Sequence, residues 1–345
     1  MGVTLIQIAR EAGVSITTVS RVLNGTAGEI RISDDTQRRV RDAAERLDYK
    51  PNILARGLRS GRSSLIGLIL GDAGSLAGIL EGVERSATAR GYGLLVRTTG
   101  VSGEEEIAST KYLLEKQVDG LIVSSAMYVC ESVRSHIARL ADKGVPIVLL
   151  GQKHGPTPQV PFVGFDNRAV GRMATRYLLS LGHRSILCVT NTHNSNIVGM
   201  LRRDGYKDAL TAAGVEVDQE LIVEINPARS SYPLAAYDML KAYLQTHKTF
   251  SAVFSHCDWA SLGILKALRE AGHGIPESIS IVSEGEQPFA HYTDPPLTTV
   301  RLDSVKAGKT AARVLLDILD GKEAPSETLL EPELVERQSC AKAMR

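Results

Sequence analysis

Apolar positions near the amino terminus recur at helical spacing: Leu5, Ile8, Ala9 and Ala12 share one face, and Val19, Val22 and Leu23 share another. Thr4 precedes the first run and Gln7 follows three residues later, the spacing of a capping box. Gly13 tolerates the left-handed conformation that ends a helix, and Val14 supplies the apolar contact just past it. Ser15 is placed to cap the second run. The pattern predicts two short helices joined by a tight turn, with the small Ala9 letting them cross closely. A third helix is predicted over 36–47, capped by Ser33 or Asp34, with Val40, Ala44 and Leu47 facing inward. These helices make a three-helix unit over 1–50. Beyond it, Pro51 disfavours a helical residue before it, and Ser60-Gly61-Arg62-Ser63 reads as a flexible, basic linker.

From Leu65 the periodicity changes. The run LIGLIL at 65–70 suits a buried parallel strand. A helix is predicted over 76–90, a strand at 94–96, a helix over 104–116, a strand at 120–123, a helix over 133–142 and a strand at 146–150. After a Pro- and Gly-rich loop, 162–165 opens a second run. Helices at 168–181, 200–213, 233–245 and 259–271 alternate there with strands at 185–189, 221–225, 252–255 and 279–282. ARGYGLLV in the first run is echoed by SLGHRSILCV in the second. The fold class is therefore α/β: a helix-turn-helix domain followed by a two-lobed, periplasmic-binding-protein-like body with parallel sheets. The stretch 295–300 reads as an inter-lobe crossover, the helix over 304–320 as rejoining the first lobe, and a strand near 329–336 as returning to the second. The first lobe then takes about 64–163 and 301–325, and the second about 164–298 and 326–340.

The outward face of the second helix carries Ile16, Thr17, Thr18, Ser20 and Arg21, flanked by Thr4, Ser15 and Asn24. Short, hydroxylated and cationic side chains let a helix approach base edges and phosphates, and Arg21 has the fork that pairs with guanine. An ordinary helical hairpin shares the periodicity. The capping box, the Ala-to-Gly turn and the hydroxyl-rich second helix together point to a helix-turn-helix. Charge agrees with that reading. The chain carries +1 overall, yet residues 1–63 hold eleven Lys and Arg against seven Asp and Glu, and the remainder 29 against 32. A basic head on a mildly acidic body suits a phosphate-binding module joined to a ligand sensor.

Thr4 to Asn24, the hinge YKPN-x-LAR-x-L and the two-lobed body together resemble the lactose-repressor (LacI/GalR) family along nearly the whole chain. The resemblance implies a regulator, most simply a repressor, that binds a near-palindromic DNA operator as a homodimer under control of a small-molecule effector. It also implies a hinge that folds on DNA, with Asn52 in the hinge, Ala55 facing the minor groove and Leu58 wedging between base pairs. For the effector it implies Asp166 and Arg202. Asp166 also stands where it would cap the next helix. For Arg202 the competing reading is a surface arginine, and a guanidinium fork holds vicinal hydroxyls, a carboxylate or a phosphate alike. Asp72, Asp258 and Trp259 join the candidates, although a lone Trp at a helix start often only packs. Two departures stand out. The loop over 71–77 lacks the family's aromatics, and the usual aspartate falls on Gly285, leaving Glu284 and Glu286 to take its place. The effector is expected to be small, polar and carbohydrate-derived.

Other signals lead nowhere. Gly308-Lys309-Thr310 looks like the end of a phosphate loop inside a helical stretch, and His183 reads as a turn residue. No metal-ligand spacing, catalytic constellation or cofactor fingerprint appears, so no enzyme is expected. Four widely spaced cysteines, no leader and no long apolar run suggest a cytoplasmic protein without a membrane span. A solute-binding protein and a sugar- or nucleotide-processing enzyme are the alternatives on the same body. The absence of heptads after the last strand predicts a dimer.

Overall fold

The computed structural model describes residues 3–23, 32–49, 62–71, 76–100, 102–124, 130–151, 160–191, 197–226, 230–246 and 248–344. The chain divides into two units, Met1–Ser63 and Ser64–Arg345. In the first, α1 (Leu5–Ala12), α2 (Ile16–Leu23) and α3 (Asp34–Arg46) close around Ile8, Ala12, Val19, Val22, Val40 and Ala43. Gln7 Oε1 accepts from the Thr4 amide at 2.8 Å and from its hydroxyl at 3.2 Å. Gly13 ends α1 at φ +63°, and the Val14 amide reaches the Ala9 carbonyl at 3.0 Å. Ser15 Oγ accepts from the Thr18 amide at 3.1 Å, and Ser33 Oγ from the Thr36 amide at 3.3 Å. Arg39 of α3 donates to the Ala12 carbonyl, setting a cation at the negative end of α1.

The body alternates strand and helix. Its elements are β1 (Leu65–Leu70), α4 (Leu76–Thr88), β2 (Gly93–Thr98), α5 (Gly103–Glu115), β3 (Gly120–Ser124), α6 (Glu131–Asp142), β4 (Ile147–Gly151), β5 (Phe162–Phe165), α7 (Asn167–Ser180), β6 (Ile186–Thr190), α8 (Ile197–Ala212), β7 (Ile222–Glu224), α9 (Tyr232–Tyr243), β8 (Ala252–Ser255), α10 (Asp258–Glu270), β9 (Ser280–Glu284), β10 (Thr298–Arg301), α11 (Ser304–Leu319), β11 (Glu327–Leu330) and β12 (Glu333–Val335). Two six-stranded sheets result, ordered β11-β5-β4-β3-β1-β2 and β12-β10-β9-β8-β6-β7. Every pairing is parallel except β10 with β12. Alternate residues of a strand enter opposite cores, as a period of two requires. Ile66, Leu68 and Leu70 pack with α4 and α11, whereas Ile69 packs with the core shared by α5 and α6. In the second sheet, Leu187 and Val189 face α9 and α10, while Ile186 and Cys188 face α7 and α8.

Three expected lobe assignments change. The strand at 162–165 belongs to the first sheet, between β4 and β11, and does not open the second, because Phe162 and Val163 fill first-lobe cores and the chain crosses only at Asp166. The stretch 295–300 is not the crossover: β10 lies between β9 and β12, so the crossing falls at Leu302 and Asp303, just before α11. Finally, the single strand expected near 329–336 is two strands, one in each sheet, separated by Glu331 and Pro332, whose ring nitrogen has no hydrogen to continue a ladder. His183, read as a turn residue, is a buried tie. Its Nδ1 lies 2.9 Å from Ser251 Oγ, and its Nε2 lies 3.0 Å from both Ser280 Oγ and the Ala341 carbonyl. Gly308 is interior to α11, where an added Cβ would lie 2.3 Å from the Ile79 carbonyl of α4, so the apparent phosphate loop is a helix contact.

Candidate functional site

On α2 the buried residues are Val19 and Val22. Ser15, Ile16 and Thr17 are exposed, with Thr18, Ser20 and Arg21 partly so. Thr4 is exposed at the start of α1. Ser15 Oγ and Thr18 Oγ1 lie 2.8 Å apart, so the first turn of α2 presents a paired hydroxyl edge. Asn24, Asn52, Ala55 and Leu58 lie outside the described residues, as does Asp72.

In the second lobe, polar side chains gather where β6, β8 and β9 end, the end of an open α/β sheet at which ligands bind. Arg202, midway along α8, is only 6% exposed. Its Nε donates to Asn167 Oδ1 at 2.8 Å. Its Nη1 donates to the His256 carbonyl at 2.8 Å and to Glu284 Oε2 at 2.6 Å. Arg202 is therefore no surface arginine. Gly205 sits one helical turn along, and its missing Cβ lets α8 cross α7, since a methyl there would stand 2.0 Å from the Arg168 carbonyl. Asp166 does cap α7, accepting from the Ala169 amide at 2.9 Å, with Arg172 Nη2 at 3.3 Å from its other oxygen. Its side chain remains 42% exposed, so capping leaves it open to solvent.

The acidic candidates divide. Glu284 is buried against Arg202. Glu286 turns to another cluster, bonding Thr299 Oγ1 at 2.6 Å, Arg337 and His291. Asp258 is buried at the start of α10, accepting from the Gln287 amide at 2.7 Å. Burial pushes its pKa up to about 7. Its Oδ2 lies 2.6 Å from where a Cβ of residue 285 would stand, and Gly285 has φ +129°. A side chain at 285 is thus opposed by both space and backbone. Trp259 packs on Phe289, ring centroids 4.8 Å apart, and stays half exposed.

Asn167, His256, Tyr232 and Asn191 were not singled out from the sequence. Asn167 is hidden behind the capping residue, and the others join only once strand order is known. The His256 and Tyr232 rings stack at 6.0 Å, and Asn191 Nδ2 donates to the Tyr232 hydroxyl at 3.2 Å. Burial first, and then the Arg202 charge, hold His256 well below its usual pKa, so it is neutral. Among the described residues no group of His, Cys, Asp and Glu is placed to hold a metal, and no helix is long and apolar enough to cross a membrane.

Residues 4–52 match the family of bacterial regulatory proteins named for LacI, and residues 175–340 match the periplasmic binding protein-like domain. Over 340 residues, 97% of this chain and 98% of the relative, the sequence is 31% identical to the HTH-type transcriptional repressor PurR of Vibrio atlanticus. The chain belongs to the LacI family. It is a DNA-binding transcriptional regulator, with the helix-turn-helix and α/β body expected of that family. Another LacI-family relative, the HTH-type transcriptional regulator CelR of Thermobifida fusca, is 32% identical over 349 residues, 97% of this chain and 98% of CelR. Among solved LacI-family structures, a complex of CelR with cellobiose matches at 31% identity and a TM-score of 0.72, covering 98% of this chain and 99% of that one. The lac repressor dimer bound to operator and the anti-inducer ONPF matches at 25% identity and a TM-score of 0.85, covering 99% of this chain and all of that one.

Proposed function

We propose that this LacI-family regulator represses transcription from a near-palindromic operator as a homodimer, and that a small, polar, carbohydrate-derived effector bound between the lobes sets its operator affinity. The observation that carries the effector reading is the placement of Arg202. A guanidinium fixed by Asn167, the His256 carbonyl and Glu284 at the ends of three strands is a preorganised donor. Asp166, still open to solvent beside the crossing between lobes, offers an acceptor. The CelR complex with cellobiose is a precedent for a sugar on a similar body. Effector binding that favours one angle between the lobes would shift the DNA-competent population. The helix-turn-helix disfavours a plain solute-binding protein.

Selection from random duplexes with the full chain is expected to return a near-palindromic site. Retained operator affinity in a chain lacking residues 1–60 overturns the DNA assignment. Calorimetry with a panel of sugars, cellobiose first, is expected to find a ligand whose affinity drops in Asp166→Ala and Arg202→Ala. Undiminished affinity in both variants overturns the pocket.

A further inference from the structure

Arg202 is the cation of the proposed effector site, and this chain has already matched it with an anion of its own. Nη1 of Arg202 and Oε2 of Glu284 lie 2.6 Å apart, and the two residues are only 6% and 8% exposed. The bonds to Asn167 and to the His256 carbonyl hold the fork against that carboxylate, and Nη2 takes no part in them. We propose that Glu284 is a built-in anion and the specificity-determining residue of the site, so that the pocket admits neutral polyhydroxylated ligands and rejects phosphates and carboxylates. The inference rests on the effector site proposed above and narrows its ligand.

Charge balance around the pair supports it. Arg172 sits against Asp166, and Arg337 against Glu286, so these two arginines are matched as well. His256 is neutral and supplies no charge. Glu286 follows Glu284 by two residues, and the buried Asp258 carboxyl lies against Gly285 between them, bonded to the Gln287 amide. An anionic ligand would therefore bring a second negative charge to a fork whose first is covalently tethered, in a site where water screens poorly. A hydroxyl accepting from Nη2 leaves the balance unchanged. Discrimination of this kind works by repulsion of the wrong ligand as much as by attraction of the right one.

The test is calorimetry of the full-length chain with inorganic phosphate and with glucose 6-phosphate. The double variant Arg202→Met/Glu284→Met, in which the pair is replaced by apolar side chains, serves as the control for anions bound elsewhere. Wild type is expected to show no heat with either anion beyond that of the double variant, up to about 10 mM. Glu284→Gln, which frees the fork, is expected to bind phosphate roughly tenfold or more tighter than wild type. Phosphate or glucose 6-phosphate binding to wild type that disappears in the double variant overturns the proposal, as does a folded Glu284→Gln with no gain. Should Glu284→Gln not fold, the wild-type titration decides alone. Failure of neutral sugars to bind would count against the effector site itself, a separate result from anion binding.

Discussion

Asp258 and Gly285 show how one side chain decides what another position can be. The Asp258 carboxylate occupies the space a side chain at 285 would need, so the departure from the family's aspartate has a steric cause. Asp258 also couples stability to pH. Its pKa is raised to about 7 from an ordinary 3.8, chiefly by burial. Between those values the folded chain keeps a proton that the unfolded chain loses. The stabilisation is therefore complete below about pH 4 and is lost as pH rises toward about 7. Asp258→Asn keeps an acceptor for the Gln287 amide and cannot ionise. Its melting temperature is expected to match wild type near pH 4 and to exceed it near pH 8, where parallel melting curves would refute the assignment. At Arg202, replacement by Met strands the buried Glu284 carboxylate, and a loss of about 3–5 kcal/mol in denaturant unfolding is expected. The double replacement of Arg202 and Glu284 should restore most of it.

Helices α7 and α8 cross through paired glycines, and this crossing sets where Arg202 lies. An added Cβ at Gly171 would stand 1.9 Å from the Arg202 carbonyl, and one at Gly205 2.0 Å from the Arg168 carbonyl. Gly205→Ala is expected to push the helices apart, cost about 1–3 kcal/mol in thermal or denaturant unfolding, and weaken effector binding with no ligand contact altered. Unchanged affinity would show that the crossing does not set the site. Elements of this kind were legible in the sequence as periodicity, caps and strand-length apolar runs, and their ends fell within a few residues of those observed. Membership of a sheet was not. Phe162 to Phe165 reads the same whether it pairs with β4 or with β6, because hydrogen-bond partners leave no mark on a fully apolar strand. Arg202 was legible only through family resemblance, and Glu284 as its partner required knowing that β9 and α8 meet. The burial of Asn167 and His256 likewise comes from packing between segments far apart in sequence.

On the scale of the molecule, α2 is eight residues long and reaches only a few base pairs, so specificity calls for two copies on two half-sites. Light scattering is expected to give a dimer, and a stable tetramer at micromolar concentration would contradict it. Arg21→Ala is expected to weaken operator binding by about 1–3 kcal/mol in gel-shift titrations with little change on random DNA, if it reads a base. An equal loss on both DNAs would make it a phosphate contact. The interleaved chain path through the body also fixes the order in which its halves can form during synthesis. Once Arg301 has emerged, the second sheet lacks only its edge strand β12. The first sheet, although made earlier, still waits for β11 and for α11, whose Ala307, Ala311 and Leu315 lie in the middle of its core. The half translated first is thus the half that folds last. Ribosome-bound chains arrested beyond residue 301 should resist protease across 167–301 while 65–165 is still cut, until translation of α11 and β11 completes the first lobe.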